Sequence, residues 1–379
     1  MAEDAFDGTQ LASLYLSVTD YCNLACDYCS ADAGPDRERK LDLPLALAAV
    51  SEWLQGLRVP AARLVFTGGE AVFWGYERLD AVCEQARALA ASLGIRLQIG
   101  IQSNGTVASD KFMAFCERWQ VEPSFSLDGT PNLSNAHRQM GEKVFANLQR
   151  LQQRGIPFAL IVCLTREVAD DIEAVLDFLQ ASGLRKFRIN ILGQPPGQRT
   201  PSGIRAGDIL RVKQALYARL QQPGGVAEYN VARQVRWFDQ ALRGQTPSKG
   251  HCEQHECQAG GKTAVLNPDG RWGLCVEKSM TDGLPLFDSR AAMAEGAARF
   301  WQGVQPWGEC AACPAASVCD HGCIAYHKAD HKVFEEECHA NQAFWKFLVQ
   351  TRLLHQEPAA APIAAQRRGT LLQPLMPLR

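Results

Sequence analysis

Short β-type apolar runs alternate with longer amphipathic stretches along the first half of the chain. A short apolar run bounded by turn residues is typical of a strand, whereas apolar residues every three to four positions are typical of a helix. The pattern predicts strands at residues 14–19, 63–67, 97–102, 123–127, 158–165 and 187–192. It predicts helices around residues 43–57, 77–93, 110–119, 142–154 and 171–181.

This alternation amounts to six β/α units within about 190 residues. Strands that alternate with helices indicate an α/β fold with a parallel sheet and crossover helices. Six such units predict a partial (β/α)6 barrel of the TIM type, curved and partly closed. In such barrels the functional groups lie at the carboxyl ends of the strands.

Composition and charge narrow the class of protein. The chain has 379 residues, 46% of them hydrophobic, and a formal net charge of -2. These values are typical of a soluble globular protein and give no reason to expect nucleic acid or an anionic membrane as a partner. The acidic first residues do not resemble a signal peptide, and no apolar run reaches the roughly 20 residues of a membrane span. We therefore expect a cytoplasmic location.

Eleven of the fourteen cysteines fall into two clusters, Cys22, Cys26 and Cys29 in the first and eight from Cys252 to Cys338 in the second. In a reducing compartment, clustered cysteines indicate metal ligands rather than disulfides. The first cluster follows the first predicted strand, and its short loop can direct three thiolates at one metal centre. A structural site closes with four protein ligands, so a missing fourth ligand predicts a site that performs chemistry.

Polar residues also follow the next three predicted strands. Gly68, Gly69 and Glu70 come after the second strand, and the stretches 102–105 and 126–129 come after the third and fourth. Glycine permits close approach of the backbone, and a carboxylate accepts hydrogen bonds from an amine. Each stretch alone is more often a simple turn. Together, in barrel order beside the three-cysteine loop, they predict one site.

The segment from Cys22 to Cys29, with the sequence CNLACDYC, resembles the signature of the radical S-adenosylmethionine (SAM) enzymes. The resemblance implies that Cys22, Cys26 and Cys29 hold a 4Fe-4S cluster whose fourth iron binds the methionine part of SAM. Reductive cleavage of SAM would then release a 5'-deoxyadenosyl radical that abstracts hydrogen from the substrate. Ala71 stands where many members carry proline. The expected cofactor-binding residues are Tyr28, Gly68, Gly69, Glu70, Ser103, Asn104, Ser126 and Arg138.

The second cysteine cluster resembles the SPASM extension of that family, which carries two auxiliary iron-sulfur clusters. Twelve residues separate Cys257 from Gly270 and four separate Gly270 from Cys275. Further along come gaps of two, five and three residues between Cys310, Cys313, Cys319 and Cys323, and finally Cys338. The resemblance implies one cluster on Cys252, Cys257, Cys275 and Cys323, and another on Cys310, Cys313, Cys319 and Cys338. Three 4Fe-4S clusters are therefore expected, with electron transfer as the auxiliary role.

Simpler interpretations stand beside these. The stretch 310–323 could be a zinc ribbon, although zinc would not explain the open three-cysteine loop. Cys83, Cys116 and Cys163 fall in predicted helices and a predicted strand, where buried inert thiols are expected. We predict a barrel domain at 1–225, a helical bridge at 226–250, a SPASM domain at 251–357 and a disordered tail at 358–379.

The substrate is less constrained than the cofactors. Members with this extension mostly modify peptides, either by oxidising a sulfatase Ser or Cys to formylglycine or by cross-linking a ribosomally made peptide. Sulfatase-maturing members carry an aspartate base directly after the third cysteine of the first auxiliary cluster. Here Val276 occupies that place and Glu277 follows. Glu277 and Asp128 are the candidate catalytic residues, and the missing aspartate favours cross-linking.

We therefore predict a peptide maturase that abstracts a side-chain hydrogen and forms an intramolecular cross-link. A carbon-carbon cyclophane is the first expectation and a carbon-sulfur thioether the second. Sulfatase maturation is the alternative activity, and a non-catalytic iron-sulfur or zinc scaffold is the alternative class. The expected partners are a precursor peptide with a leader and a flavodoxin- or ferredoxin-type reductant. Only 21 residues precede Cys22, so we expect leader recognition at the barrel rim, at residues 205–243 or on a separate protein.

Overall fold

A computed structural model describes most of the barrel and part of the cysteine-rich region. The described residues are 8–192, 203–245, 259–276, 285–302, 310, 313–315, 319 and 331–355. Four predicted site residues, Cys252, Cys257, Glu277 and Cys323, lie outside these ranges, as does the predicted tail at 358–379.

The described strands form one sheet of ten strands. The bounds are β1 Ser13–Thr19, β2 Ala61–Gly68, β3 Arg96–Ser103, β4 Val121–Ser126, β5 Ala159–Leu164, β6 Lys186–Ile191, β7 Ala227–Glu228, β8 Thr263–Leu266, β9 Trp272–Gly273 and β10 Leu286–Phe287. All six predicted strands are confirmed, with ends that shift by one or two residues.

The sheet has the order β10-β9-β8-β1-β2-β3-β4-β5-β6-β7. Strands β1 to β7 pair in parallel with their neighbours, which confirms the predicted parallel partial barrel. On the other side of β1, the strand β8 pairs in parallel with residues 13–16, and β9 and β10 continue antiparallel. The chain therefore returns to its own first strand after the barrel repeats.

The helices lie between successive strands and beyond them. Their bounds are α1 Leu43–Gly56, α2 Tyr76–Ser92, α3 Asp110–Trp119, α4 Pro131–Asn135, α5 Gly141–Gln153, α6 Arg166–Asp170, α7 Ile172–Ala181, α8 Ala206–Leu220, α9 Tyr229–Leu242, α10 Arg290–Gln302 and α11 His331–His355, with a 3-10 turn at Ala71–Trp74. The five predicted helices are confirmed as α1, α2, α3, α5 and α7. None of the helices in the described ranges is apolar over a stretch long enough to cross a membrane.

Local chemistry explains where several helices begin. The Asp42 side chain accepts a hydrogen bond from the Leu45 amide, and a proline follows in the first turn of α1. Ser109 caps α3 in the same way. Thr130 and Thr165 cap α4 and α6, the two five-residue helices that the sequence pattern does not predict. A side-chain oxygen at this position satisfies a backbone amide that has no partner inside the helix.

Alternate strand positions belong to the core between the sheet and its helices. Leu14, Leu16, Leu64 and Phe66 are fully buried in one apolar cluster that includes residues of α1 and α2. Burial of side chains of this size contributes about 1.5–3 kcal/mol each. The predicted buried state of Cys83, Cys116 and Cys163 is confirmed. This core holds the carboxyl ends of β1 to β4 in register.

Glu228 joins the last barrel strands to α9. Its carboxylate accepts hydrogen bonds from the backbone amides of Ile189 in β6 (2.9 Å) and Val231 in α9 (2.7 Å). Burial raises the pKa of this carboxyl, although the backbone hydrogen bonds oppose the shift. Glu228, Ile189 and Val231 are all buried, so water has no access to replace the carboxylate as an acceptor.

We expect Glu228→Leu to lower the free energy of unfolding by about 2–4 kcal/mol, because it leaves two buried amides without acceptors. Glu228→Gln keeps an acceptor and should cost less. Denaturant unfolding followed by circular dichroism measures both changes. The control is Glu84→Leu at an exposed position of α2, which should change stability by less than about 0.5 kcal/mol. Equal losses in Glu228→Leu and the control would contradict the assignment.

Candidate active site

The loop from residue 20 to residue 41, here called the cysteine loop, leaves the carboxyl end of β1 and folds back on it. The Thr19 hydroxyl accepts from the Tyr21 amide and donates to the Arg39 carbonyl, both at 3.0 Å. The Cys22 amide donates to the Gly34 carbonyl at 3.1 Å. The loop is thereby closed at its base, and its first cysteine is held beside the end of β1.

The three cysteines of the loop form no disulfide, and Cys22 and Cys29 lie near enough to Cys26 to interact with it electrostatically. Burial raises the pKa of the Cys26 thiol to about 11, Arg138 opposes the shift, and the nearby Cys29 and Cys22 thiols add to it. The Asn104 amide nitrogen also donates to the Cys22 sulfur at 3.4 Å. Burial also raises the pKa of the Cys22 thiol. Buried thiols that are costly to ionise without a cation match a site for a metal centre, because metals bind the thiolate.

Within the described ranges, no group of three or more His, Cys, Asp or Glu side chains is arranged to hold a single metal ion. A tetrahedral zinc ion, with zinc-sulfur distances near 2.3 Å, requires its ligands in such a tight group. A four-iron cluster is larger than a single ion, and the spacing of the three cysteines in the loop supports such a cluster.

Gly68 and Gly69 let β2 approach the cysteine loop closely. Gly68 has a φ of +120°, and a Cβ built there would lie 2.3 Å from the Thr19 carbonyl oxygen. A Cβ on Gly69 would lie 2.1 Å from the Tyr21 carbonyl oxygen. In this contact the Gly69 amide donates to Thr19 and the Glu70 amide donates to Tyr21, at 2.7 and 2.8 Å. Only glycine allows these two backbones to meet.

Glu70 is fully buried between the ends of β2 and β3. Its Oε2 accepts from the Ser103 hydroxyl at 3.0 Å and from the Asn104 amide at 2.7 Å. Its Oε1 has no hydrogen-bond partner among the described residues. Burial raises the pKa of Glu70 to about 7, although the bonds from Asn104 and Ser103 oppose the shift. A buried oxygen without a donor is costly, so Oε1 is ready to accept from a ligand N–H.

A group of amide and hydroxyl side chains links β3 to the cysteine loop. Asn104 donates to the Asn23 side-chain oxygen at 2.9 Å, and Asn23 donates to the Thr106 hydroxyl at 2.9 Å. The Asn104 oxygen in turn accepts from the Thr106 amide and hydroxyl. Asn23 and Thr106 are not among the residues predicted from the sequence. The available signal was the position of Asn23 between the first two cysteines.

Asp128 organises the opposite wall of the site. One of its oxygens accepts from the Tyr28 hydroxyl, and the other accepts from the Cys163 amide at 2.8 Å. Arg138 donates to the Tyr28 hydroxyl at 3.3 Å and lies over the Tyr28 ring. Burial works to lower the pKa of Arg138, but Asp128 and Cys26 raise it further, so the guanidinium stays charged. Ser126, also buried, ends β4 two residues before Asp128.

His137 connects the cysteine loop to the start of α6. One ring nitrogen lies 2.8 Å from the Asp27 carboxylate and the other lies 3.0 Å from the Glu167 carboxylate at the start of α6. Burial works to lower the pKa of His137, but the two hydrogen-bonded carboxylates raise it above its usual value. This contact is not predictable from the sequence, because its three residues are far apart in the chain and form no local pattern.

The structure thus brings nine of the predicted residues to the carboxyl ends of β1 to β4 beside the three cysteines. They are Tyr28, Gly68, Gly69, Glu70, Ser103, Asn104, Ser126, Asp128 and Arg138.

The described part of the second cysteine set includes Cys275 after β9, Cys310, Cys313 and Cys319, and Cys338 within α11. None of these cysteines forms a disulfide. The Cys319 sulfur accepts from the Asn341 side chain at 3.8 Å and the Cys338 sulfur accepts from Gln342 at 3.5 Å.

A partly closed parallel barrel with an open three-cysteine loop at its carboxyl edge defines a cofactor-dependent barrel protein. Residues 16–179 match the model of the Radical SAM superfamily. The chain therefore contains a radical SAM domain, as the CNLACDYC segment predicts, and this family implies a 4Fe-4S cluster and SAM as cofactors.

The similarity to known proteins extends beyond this domain. The serine-type anaerobic sulfatase-maturating enzyme of Klebsiella aerogenes is 24% identical over 329 residues, which are 81% of this chain and 78% of that enzyme. The structure of anSMEcpe with bound AdoMet superposes with a TM-score of 0.73 at 17% identity, over 91% of this chain and 98% of that one. SuiB of Streptococcus suis, bound to precursor peptide SuiA, has a TM-score of 0.60 at 13% identity, over 86% and 74%. At these identities the structures share the fold.

The residues at the barrel mouth fit the cofactors that the family implies. Three free cysteines offer thiolates for three irons of a cluster. The unpartnered Oε1 of Glu70 offers an acceptor for an amine, and the Gly68–Gly69 backbone brings that acceptor next to the cysteine loop.

SAM binding should depend on the ionisation of Glu70. The pKa of about 7 means that the carboxyl gains a proton as the pH falls through neutrality and then accepts a weaker hydrogen bond. We expect roughly tenfold weaker binding at pH 6 than at pH 8, the ratio of the ionised fractions. Anaerobic equilibrium dialysis with SAM measures this. Glu70→Gln should bind weakly at both pH values, and an unchanged pH dependence in this variant would contradict the prediction.

Gly69→Ala should disrupt the contact between β2 and the cysteine loop, because its Cβ would overlap the Tyr21 carbonyl. We expect a loss of bound iron and at least about tenfold weaker SAM binding, since a displaced loop no longer holds three thiolates together. Iron analysis and equilibrium dialysis provide the readouts. Gly207→Ala at the start of α8, where a Cβ meets nothing within 4 Å, is the control. Wild-type iron and SAM binding in Gly69→Ala would contradict the assignment.

Proposed function

We propose that this protein is a radical SAM peptide maturase that cross-links side chains of a ribosomally made precursor peptide. The observation that carries the proposal is the joint presence of the open three-cysteine loop and the unpartnered Glu70 oxygen in a barrel that resembles peptide-modifying proteins. When bound, the cluster and SAM supply a 5'-deoxyadenosyl radical that takes a hydrogen atom from the substrate. The chain itself positions the cofactor and the peptide and excludes water.

A peptide substrate is supported by the similar proteins. anSMEcpe has been solved with AdoMet and the Cp18Cys peptide, and SuiB with precursor peptide SuiA. Both superpose on more than four-fifths of this chain. We propose a precursor peptide with a leader as the substrate and a flavodoxin- or ferredoxin-type protein as the reductant.

The contacts suggest a division of roles at the barrel mouth. Glu70 is the acceptor for the methionyl amine, and Ser103 and Asn104 hold its carboxylate in place. Tyr28 and Arg138 form the facing wall, where the charged guanidinium suits a carboxylate or ribose oxygen. Asp128 is proposed here as a positioning residue rather than a proton acceptor, because both of its oxygens already accept hydrogen bonds from the protein.

Two auxiliary 4Fe-4S clusters are proposed on the second cysteine set, in addition to the cluster of the cysteine loop. Side-chain N–H donors point at two of the described sulfurs, Cys319 and Cys338. Such hydrogen bonds are typical of thiolates that hold an iron-sulfur centre, where they adjust its potential. The other cluster would use Cys275 together with Cys252, Cys257 and Cys323.

Cross-linking requires an electron acceptor. A substrate radical that joins a neighbouring side chain must lose one proton and one electron, so that the product lacks two hydrogens. The second cysteine set is the part of the chain suited to hold that acceptor. Val276, directly after Cys275, has no side-chain group that can act as a base. This favours a reaction that does not begin with deprotonation of a substrate Ser or Cys. We therefore propose a carbon-carbon cyclophane first and a thioether second.

Sulfatase maturation is the second candidate function. It is favoured by the similarity to the Klebsiella aerogenes enzyme over 81% of this chain. In this case Glu277 would have to replace the missing aspartate as the base.

The radical chemistry is tested with anaerobically reconstituted protein and a chemical reductant. We expect roughly twelve irons per chain with little zinc, and cleavage of SAM to methionine and 5'-deoxyadenosine. Cys26→Ala should hold about four irons fewer and cleave no SAM, whereas Cys83→Ala, which alters a buried thiol outside both sets, should behave like wild type. A protein that holds zinc and leaves SAM intact would be a scaffold and would contradict the proposal.

The reaction is tested with two peptides, a precursor encoded beside the gene and a sulfatase peptide with Ser or Cys at the modified position. A cross-link removes two hydrogens from the precursor and gives no aldehyde, whereas formylglycine is captured by a hydrazide reagent. We expect product only from the precursor. An aldehyde on the sulfatase peptide with the wild-type protein, increased by Val276→Asp, would support the second candidate and overturn the first.

A further inference from the structure

Lys213 of α8 is a buried lysine whose hydrogen-bond partners are neutral amides. Its side chain is 7% exposed and forms no ion pair with another described residue. Its ammonium group donates to the Gln234 side-chain oxygen at 2.8 Å and to the Asn341 side-chain oxygen at 2.6 Å. The nearby carboxylate of Glu228 already accepts two backbone amides. The hydrogen-bond partners of the ammonium group are thus two neutral amides, while the Glu228 carboxylate interacts with it only electrostatically.

The Asn341 side chain links the Lys213 ammonium group to the second cysteine set. Its oxygen accepts from both Lys213 and the Gln234 side-chain nitrogen, at 2.6 and 3.1 Å. An amide whose oxygen faces two donors must present its nitrogen on the other side. There the Asn341 nitrogen donates to the Cys319 sulfur at 3.8 Å. Lys213 therefore fixes the direction of the Asn341 group, and one amide separates the ammonium from the sulfur.

The three residues belong to three helices that pack together. Lys213 lies on α8, Gln234 on α9 and Asn341 on α11, and all three are at least nine-tenths buried. Around them, Tyr217 packs edge-on against Phe347, and Arg352 pairs with Asp239 at 2.7 Å. The network is thus held in a rigid setting and joins the end of the barrel to the helix that carries Cys338.

We propose that Lys213, acting through Asn341, is a positioning residue that raises the reduction potential of the iron-sulfur centre held by Cys319. The inference rests on the auxiliary cluster proposed above for Cys310, Cys313, Cys319 and Cys338. A cation near a negatively charged centre favours its reduced form, and a hydrogen bond to a ligand sulfur acts in the same direction. The device makes this centre a better acceptor for an electron released by the substrate.

The test is a redox titration followed by electron paramagnetic resonance. It uses the full chain with Cys22, Cys26 and Cys29 replaced by alanine, so that only the auxiliary centres contribute signals. In this background Lys213→Met should lower the midpoint potential of one centre. We compare the two proteins at the midpoint potential of the background protein that retains Lys213. At that potential, Lys213→Met should lower the ratio of reduced to oxidised centre more than about tenfold, as expected for loss of a unit charge several ångströms away. The second auxiliary centre should shift less.

Gln234→Glu provides a second variant that keeps the size of the side chain and keeps Lys213. The new carboxylate would pair with the ammonium group and cancel its charge, so the same centre should again become harder to reduce. Lys186→Met removes an exposed lysine of β6 and should leave both potentials unchanged. If the Lys213→Met protein loses iron, its midpoint potential is not measurable, and the potential of Gln234→Glu then decides the test.

The outcomes separate the two proposals. Background protein without auxiliary iron would overturn the cluster assignment and this inference with it. Full auxiliary iron with unchanged potentials in Gln234→Glu would overturn the role of Lys213 and leave the cluster assignment in place. Lower potentials in Gln234→Glu, with or without a stable Lys213→Met protein, support both.

Discussion

The site depends on one backbone contact, the pair of hydrogen bonds that the Gly69 and Glu70 amides donate to the carbonyls of Thr19 and Tyr21. These bonds join the end of β2 to the first turn of the cysteine loop. They require the two backbones to come closer than any Cβ allows, which makes Gly68 and Gly69 necessary at these positions. The same contact places the Glu70 carboxylate next to Cys22. The metal-binding loop and the acceptor for an amine therefore have one common anchor.

Three buried ionisable side chains differ in how completely the protein supplies their hydrogen-bond partners. Asp128 is satisfied by a tyrosine, a backbone amide and a nearby arginine, so its geometry is fixed before any ligand binds. Glu70 is satisfied on one oxygen only, so a ligand can complete it. Lys213 donates hydrogen bonds to two neutral amides and forms no ion pair with another described residue. A side chain with a complete set of partners is held rigidly. A side chain with an incomplete set can still bind a ligand or act electrostatically on a neighbouring group.

The sequence predicted the barrel strands within two residues, because their apolar runs are short, separate and bounded by clear turns. It also brought together the residues at four strand ends, since parallel strands present their carboxyl ends on one edge. It could not predict the contacts of His137 with Asp27 and Glu167, or of Lys213 with Gln234 and Asn341, because these residues meet only after distant elements pack. The pairing of β8 with β1 was missed for the same reason.

That pairing has a consequence for how the chain is made. The strand that leads into the cysteine loop has β2 on one side, but its other neighbour, Thr263–Leu266, comes from the sequence beyond the barrel repeats. During synthesis from the amino terminus, β1 therefore keeps one open edge after the six barrel repeats have emerged. An open edge is available for unwanted pairing with other chains. A strand between Cys257 and Cys275 of the second cysteine set thus also serves as a protective flank for the strand that leads into the first set.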